Sequence, residues 1–138
     1  MTLTIIDLWT DGACSGNPGP CTAHWLWKNG TETTGQKDLG HGTNNYAELA
    51  AIGCGLSHIL EILTAAGKDP AQYKIRVRCD SQTVLFWLNG TTPGQVFARD
   101  KVIRMVERIR SYLIPQFAGV VLMNIRGENN LADPGNKS

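Results

Sequence analysis

The stretch Thr10-Asp11-Gly12-Ala13-Cys14-Ser15-Gly16-Asn17-Pro18-Gly19-Pro20 constrains the fold most, because it follows an apolar strand with a carboxylate and then a dense run of turn-formers. Leu3 to Thr10 is rich in Leu, Ile, Thr and Trp, which suits an extended buried strand. Gly12, Gly16, Pro18, Gly19 and Pro20 are expected to stop that strand abruptly. Asp11 then stands at the rim of a sheet. Taken alone it reads equally as a turn aspartate bonding its own backbone, so its meaning depends on what else reaches that rim.

Thr22 to Lys28 alternates, with Trp25 and Trp27 on one face, and Asn29-Gly30 is the dipeptide a tight hairpin prefers. Thr31 to Leu39 is the returning strand, which completes an antiparallel meander. The tryptophans read as packing residues, because nothing basic surrounds them. From Asn44 the pattern turns helical, with Leu49, Ile52, Leu56, Ile59, Leu60 and Leu63 on one stripe, and Gly67 ends it. Glu48 falls in the first turn, three residues after Asn45, where a capping box would also place it.

Lys74 to Cys79 alternates strictly and leads into Asp80-Ser81-Gln82 and a short helical stretch, Thr83 to Leu88. A second strand therefore ends in a carboxylate. The long intervening helix makes a right-handed crossover to a parallel neighbour the natural connection. Asp11 and Asp80 then stand side by side at the carboxyl ends of adjacent strands, where open α/β sheets place ligands. Phe97 to Leu113 reads as a second long helix with Val102, Val106, Ile109 and Leu113 on its buried stripe. Its Arg99, Lys101, Arg104, Arg108 and Arg110 suit either a solvated surface or a nucleic-acid contact. Val120 to Ile125 reads as a third parallel strand, and the chain closes through Arg126 to Asp133.

At 138 residues with 42% hydrophobic side chains, the chain fits a single domain over residues 1–138 with one core. The formal net charge of +1 conceals an asymmetry of −4 over residues 1–69 and +5 over residues 70–138. That division suits a protein holding cations at one place and an anionic polymer at another. No apolar run approaching a membrane span and no signal segment is read, so a cytoplasmic protein with no membrane partner is expected. Cys14, Cys21, Cys54 and Cys79 form no C-x-x-C pair and have no histidine at zinc spacing, so all four are expected to be reduced.

Asp11, Glu48, Asp80 and Asp133 can converge at one rim. At about 4 Å and an effective dielectric near 20, each ionised pair costs on the order of 4 kcal/mol, so such a cluster either holds protons or binds a hard cation. Oxygen-only ligands favour Mg²⁺ or Mn²⁺, and divalent ions shared with a phosphate suit in-line phosphoryl transfer.

Four segments resemble the motifs of type 1 ribonuclease H: Thr10-Asp11-Gly12-Ala13 with Gly16-Asn17-Pro18-Gly19-Pro20, Thr43-Asn44-Asn45-Tyr46-Ala47-Glu48-Leu49, Asp80-Ser81-Gln82 and Asn130-Leu131-Ala132-Asp133. The resemblance implies an α/β ribonuclease H-like fold, a five-stranded mixed sheet in the order 3-2-1-4-5 flanked by helices. It implies that Asp11, Glu48, Asp80 and Asp133 ligate two Mg²⁺ ions, with Mn²⁺ an alternative. The implied activity is endonucleolytic hydrolysis of the RNA strand of an RNA/DNA hybrid, leaving 5′-phosphate ends, by a protein expected to be monomeric. Gly12, Ala13, Cys14 and Asn17 of the first loop, with Glu48, would read 2′-hydroxyls in the minor groove. Asn44, Asn45 and Gln82 would contact the strands near the cut, and Thr43 would help hold a DNA phosphate.

The chain departs from many members of that family. It lacks the Gly-His loop before the last aspartate and the basic extra helix between Leu88 and Phe97, and Pro134 follows Asp133 directly. His41 stands where some members have an arginine for the DNA phosphate. A related nuclease with another substrate and a catalytically silent hybrid-binding module are the competing readings. Three mutually repelling acids held together without catalysis would lack a physical reason.

Overall fold

Why the first strand does not stop at Thr10 is the key to the architecture. The computed structural model describes residues 2–136, and its first strand, β1, runs Thr4–Cys14. β2 (Gly19–Asn29) pairs antiparallel along that length, from Asp7 opposite Lys28 to Cys14 opposite Cys21. Ladder bonds outweigh the weak strand propensity of Gly12 and Ala13. The parallel partner β4 (Tyr73–Cys79) leaves β1 at Trp9 opposite Arg78. Asp11 thus lies inside one ladder and just beyond the end of the other.

β3 (Thr31–Gly42) returns antiparallel along β2 through a turn at Gly30, whose φ of +81° glycine adopts without strain. β5 (Gly119–Asn124) pairs parallel with β4, which gives the order β3-β2-β1-β4-β5. The mixed five-stranded sheet is the one expected.

Helix α1 (Asn44–Ala65) packs across β1 and β2. Its Leu49, Ile52, Leu56, Ile59 and Leu63 are buried with Ile6, Leu8, Ile75 and Val77 of the sheet. The fit is close: a Cβ on Gly55 would stand 3.0 Å from both Leu8 methyls. Truncating such a core leucine to alanine typically costs about 3 kcal/mol. By length and composition α1 could cross a membrane, but in this fold it is the core helix. Trp25 and Trp27 are buried and both donate indole N–H bonds to His58 Nδ1, at 3.0 and 3.2 Å. They are packing residues, as their surroundings in sequence suggest.

Two shorter helices complete the covered face. α2 (Gln82–Leu88) is capped by Ser81, whose hydroxyl accepts from Val84 N. α3 (Arg99–Arg108) is shorter than the expected helix, starting after Ala98 at φ 52° and continuing through a π-helical turn Ile109–Leu113 and a 3-10 turn Ile114–Gln116. Val102, Val106, Ile109 and Leu113 are buried as the periodicity predicts.

The cysteine expectation is corrected. Cys14 and Cys21 form a disulfide, S–S 2.03 Å. Extension of β1 past Thr10 sets the two residues opposite each other on paired strands, a proximity that C-x-x-C arithmetic does not reveal. Cys54 and Cys79 are free thiols.

Candidate active site

Three carboxylates meet where β1, α1 and β4 come together. One oxygen from each of Asp11, Glu48 and Asp80 lies within 4.8 Å of the others. Gly12 makes this possible: a Cβ there would fall 2.2 Å from Ala47 C and 2.4 Å from Glu48 N, so only glycine lets β1 touch the first turn of α1. The Gly12 N–H donates to the Glu48 carboxylate. Glu48 does not cap its helix; Thr43 does, its hydroxyl accepting from Tyr46 N at 3.3 Å. The capping-box reading of Glu48 is therefore excluded.

Electrostatics marks the cluster as strained by its own charge. Burial, then the charges of Asp80 and Asp133, push the Asp11 carboxyl up to about 7. Burial, then Asp80 and Asp11, push Glu48 up to about 9. Without a cation the group holds protons at neutral pH. Beneath it the Cys79 thiol is pushed up to about 12, chiefly by burial, and stays a neutral floor. The donor set is oxygen only, which fits a hard divalent cation.

Asp133 is not within that close group. Its charge raises Asp11, yet its Oδ1 accepts from Gly135 N at 2.9 Å in the turn begun by Pro134. Asn130, quoted in sequence only as part of a motif, holds this segment in place. It is fully buried, and Nδ2 donates to Thr10 O at 2.8 Å and to Asp80 Oδ2 at 3.4 Å, while Oδ1 accepts from Ala132 N at 3.1 Å. A polar residue three positions before an acid, in a chain end with little apolar surface, was the available signal.

The amide residues form a second region beside the carboxylates. Cys14 N donates to Asn44 Oδ1 at 3.2 Å, and Asn44 N donates to Asn17 Oδ1 at 3.0 Å, so the first loop is tied to the start of α1. Asn17, Thr43, Asn44 and Asn45 line a groove of about 560 Å³ whose other wall is Trp87, Val96 and Phe97. Phe97, which sequence reading did not single out, is 48% exposed, with its ring 5.8 Å from that of His41. Ala13 and Gln82 are exposed and outside this groove. Among the cations of α3, Arg99 donates to the carbonyls of Pro93 and Gly94, and Lys101 stands 4.6 Å from the centre of the Tyr46 ring. Both are engaged within the fold; Arg104 is exposed.

A mixed sheet with acids gathered where two parallel strands part, flanked by an amide-lined groove, defines an α/β protein of the ribonuclease H-like class. Residues 4–113 match the RNase H family. Ribonuclease H of Bordetella avium (strain 197N) is 31% identical over 137 residues, spanning 96% of this chain and 84% of the relative. RNase H1 from the halophilic archaeon Halobacterium salinarum NRC-1 superposes with a TM-score of 0.69 at 27% identity, over 93% of this chain and 90% of that one. LC11-RNase H1, crystallised in complex with an RNA/DNA hybrid, shares the fold with a TM-score of 0.71 at 24% identity, over 91% and 88%. The chain belongs to the RNase H family, and homology over most of its length makes it a ribonuclease H.

Proposed function

We propose that this protein cleaves the RNA strand of RNA/DNA hybrids endonucleolytically, leaving 5′-phosphate ends, with Asp11, Glu48 and Asp80 holding divalent cations and Asp133 assisting. The observation that carries the reading is the approach of three carboxylate oxygens within 4.8 Å of one another on three core elements. The LC11 complex with an RNA/DNA hybrid supports the substrate class. Two bound Mg²⁺ ions would supply an activated water on one side of the scissile phosphate and charge neutralisation on the other.

The chain's own residues do the rest. Asp11 and Glu48, which burial and mutual repulsion keep protonated at neutral pH, would hold a divalent cation in their ionised form, so its binding would release protons. The Gly12 N–H keeps Glu48 turned toward β1, and Asn130 keeps the closing segment against Thr10 and Asp80. Glu48 and the first loop beyond the buried Gly12, from Ala13 to Asn17, meet ribose 2′-hydroxyls, the groups that distinguish RNA from DNA. Asn17, Thr43, Asn44 and Asn45 orient the strands along their groove, with Gln82 at the start of α2 near the cut.

Labelled RNA/DNA hybrid, single-stranded RNA, single-stranded DNA and duplex DNA, each incubated with Mg²⁺ and with EDTA, test the reading. Cleavage is expected only of the hybrid's RNA strand and only with Mg²⁺. Cleavage in EDTA, or equal cleavage of duplex DNA, would overturn it.

A further inference from the structure

The disulfide closes a small ring around the loop that faces the amide-lined groove. Cys14 ends β1, Cys21 stands opposite it near the start of β2, and residues 15–20 between them include Asn17. Cys14 N donates to Asn44 Oδ1 at 3.2 Å and Asn44 N donates to Asn17 Oδ1 at 3.0 Å, so the ring is clasped to the first residue of α1 at two places. On its other side Cys21 Sγ lies 3.9 Å from the carbonyl oxygen of Thr43, which caps the same helix. Asn17, Thr43 and Asn44 line the groove. The bond therefore belongs to the frame that aims those side chains. Asp11, Glu48 and Asp80 are held elsewhere, by the packing of Gly12 against α1 and by the ladder between β1 and β4.

Stabilising the fold is a poor account of this bond. Disulfide-dependent folds are mostly small and short of core, whereas this one has a continuous core spanning the sheet and its helices. A cross-link restrains the unfolded chain more the larger the ring it closes, and here the cysteines are only 7 residues apart. They are already ladder partners, and Ser15 N donates to Pro20 O at 2.8 Å inside the ring, so the hairpin has its own bonds. What the disulfide adds is a fixed path for residues 15–20. Without it Asn17 is held by a solvent-exposed hydrogen bond to Asn44, for which water competes.

The surroundings provide for both redox forms. A Cys21 thiol would find carbonyl acceptors in Gly19, 3.2 Å away, and Thr43, 3.9 Å away, so reduction leaves no buried S–H without a partner. Cys14 is half-buried and Cys21 is buried, so a reductant reaches the bond at Cys14. We propose that Cys14–Cys21 is a thiol-exchange site at which a dithiol reductant lowers the affinity of the protein for the RNA/DNA hybrid, an inference that rests on the ribonuclease reading. A thiolate of the reductant attacks Cys14 Sγ, the bond to Cys21 breaks, and Cys21 leaves with the electron pair and takes up a proton. The second thiolate of the reductant then attacks its partner sulfur in the mixed disulfide and releases Cys14, which takes up the other proton. The protein disulfide is reduced to two thiols and the dithiol is oxidised to its own disulfide.

The test uses the full chain, oxidised or treated with dithiothreitol under native conditions, in single-turnover hybrid cleavage with Mg²⁺ over a range of protein concentrations. Alkylation of the denatured samples, read by mass, should find the two free thiols, Cys54 and Cys79, in the oxidised protein and all four cysteines in the reduced one. Reduction should raise the half-saturating protein concentration about fivefold and leave the rate at saturation unchanged, because it loosens the loop and not the carboxylates. The double variant Cys14→Ser/Cys21→Ser should match the reduced protein with or without dithiothreitol, and Cys54→Ala should keep the full response. A bond that dithiothreitol cannot open in the native protein would overturn the proposal. So would a lower thermal midpoint on reduction with no change in half-saturation, the mark of a structural staple, or a response that Cys54→Ala abolishes. Cleavage by both forms with equal half-saturation removes the switch alone, whereas no cleavage by either form removes the ribonuclease reading and the switch with it.

Discussion

Asp11, Glu48 and Asp80 are carried by β1, α1 and the end of β4, elements locked by the core, whereas Asp133 is carried by a turn after the last strand. Backbone packing at Gly12 fixes Asp11 to Glu48 and the β1–β4 ladder, ending at Trp9 opposite Arg78, brings Asp80 beside them; the fourth is fixed through the side chain of Asn130. An acid held by the core keeps its geometry whether or not a cation is bound. One held by a turn contributes through its field and can be lost with less damage. From this difference we propose that the chemistry belongs to the central three and that the fourth assists.

The largest effect should come from the core-held acids. Asp11→Asn or Asp80→Asn should slow hydrolysis about a thousandfold or more, roughly 4 kcal/mol of transition-state stabilisation, in single-turnover assays. Near-normal rates would remove both from the site. Next in size is the packing that joins β1 to α1. Gly12→Ala drives a Cβ into the Ala47 backbone, and forced repacking of this kind costs on the order of 3 kcal/mol, read by denaturant unfolding. An unchanged midpoint would mean that the two elements separate freely, and the argument for a rigid triad would fail.

Asn130→Ala should cost about 2 kcal/mol, because it leaves the buried Thr10 carbonyl without the bond that Nδ2 supplies. It should lower activity less than Asp80→Asn does, since it loosens only the turn-held region. Stability against pH in the metal-free protein tests the clustering without reference to activity. Asp11 and Glu48, raised to about 7 and about 9, hold protons in the folded state that the unfolded chain releases near its ordinary carboxyl values. The folded state therefore binds more protons between those limits, and stability must fall as pH rises from about 4 to about 9. Thermal scans in EDTA should show that fall, and Mg²⁺ or Asp11→Asn should flatten it. A rise over the same range would contradict the clustering.

Much of this was legible in the chain because periodicity reports burial. The stripe of Leu49, Ile52, Leu56, Ile59 and Leu63, with Leu60 only half-buried at its edge, the alternation of Lys74 to Cys79, and the stripe from Val102 to Leu113 match what the core buries. The strand order followed from the resemblance and agreed with the connections read locally. What escaped was set by pairing across the chain. β1 extends through Gly12 to Cys14 because β2 supplies its ladder, and the disulfide with Cys21 is a product of that register. Asn130 escaped because its partners Thr10 and Asp80 are 120 and 50 residues away. The role of Arg99 as a loop tie was likewise hidden, since a helical wheel shows charge and not the carbonyls of Pro93 and Gly94.

A Mg²⁺ titration of single-turnover hybrid cleavage, run side by side for the unmodified protein, Asp80→Asn and Asp133→Asn, tests the division between core-held and turn-held acids most directly. The account predicts that Asp133→Asn needs more Mg²⁺ but recovers most of its rate at saturation, while Asp80→Asn recovers at no concentration. Equal, unrescued loss in both variants would contradict it.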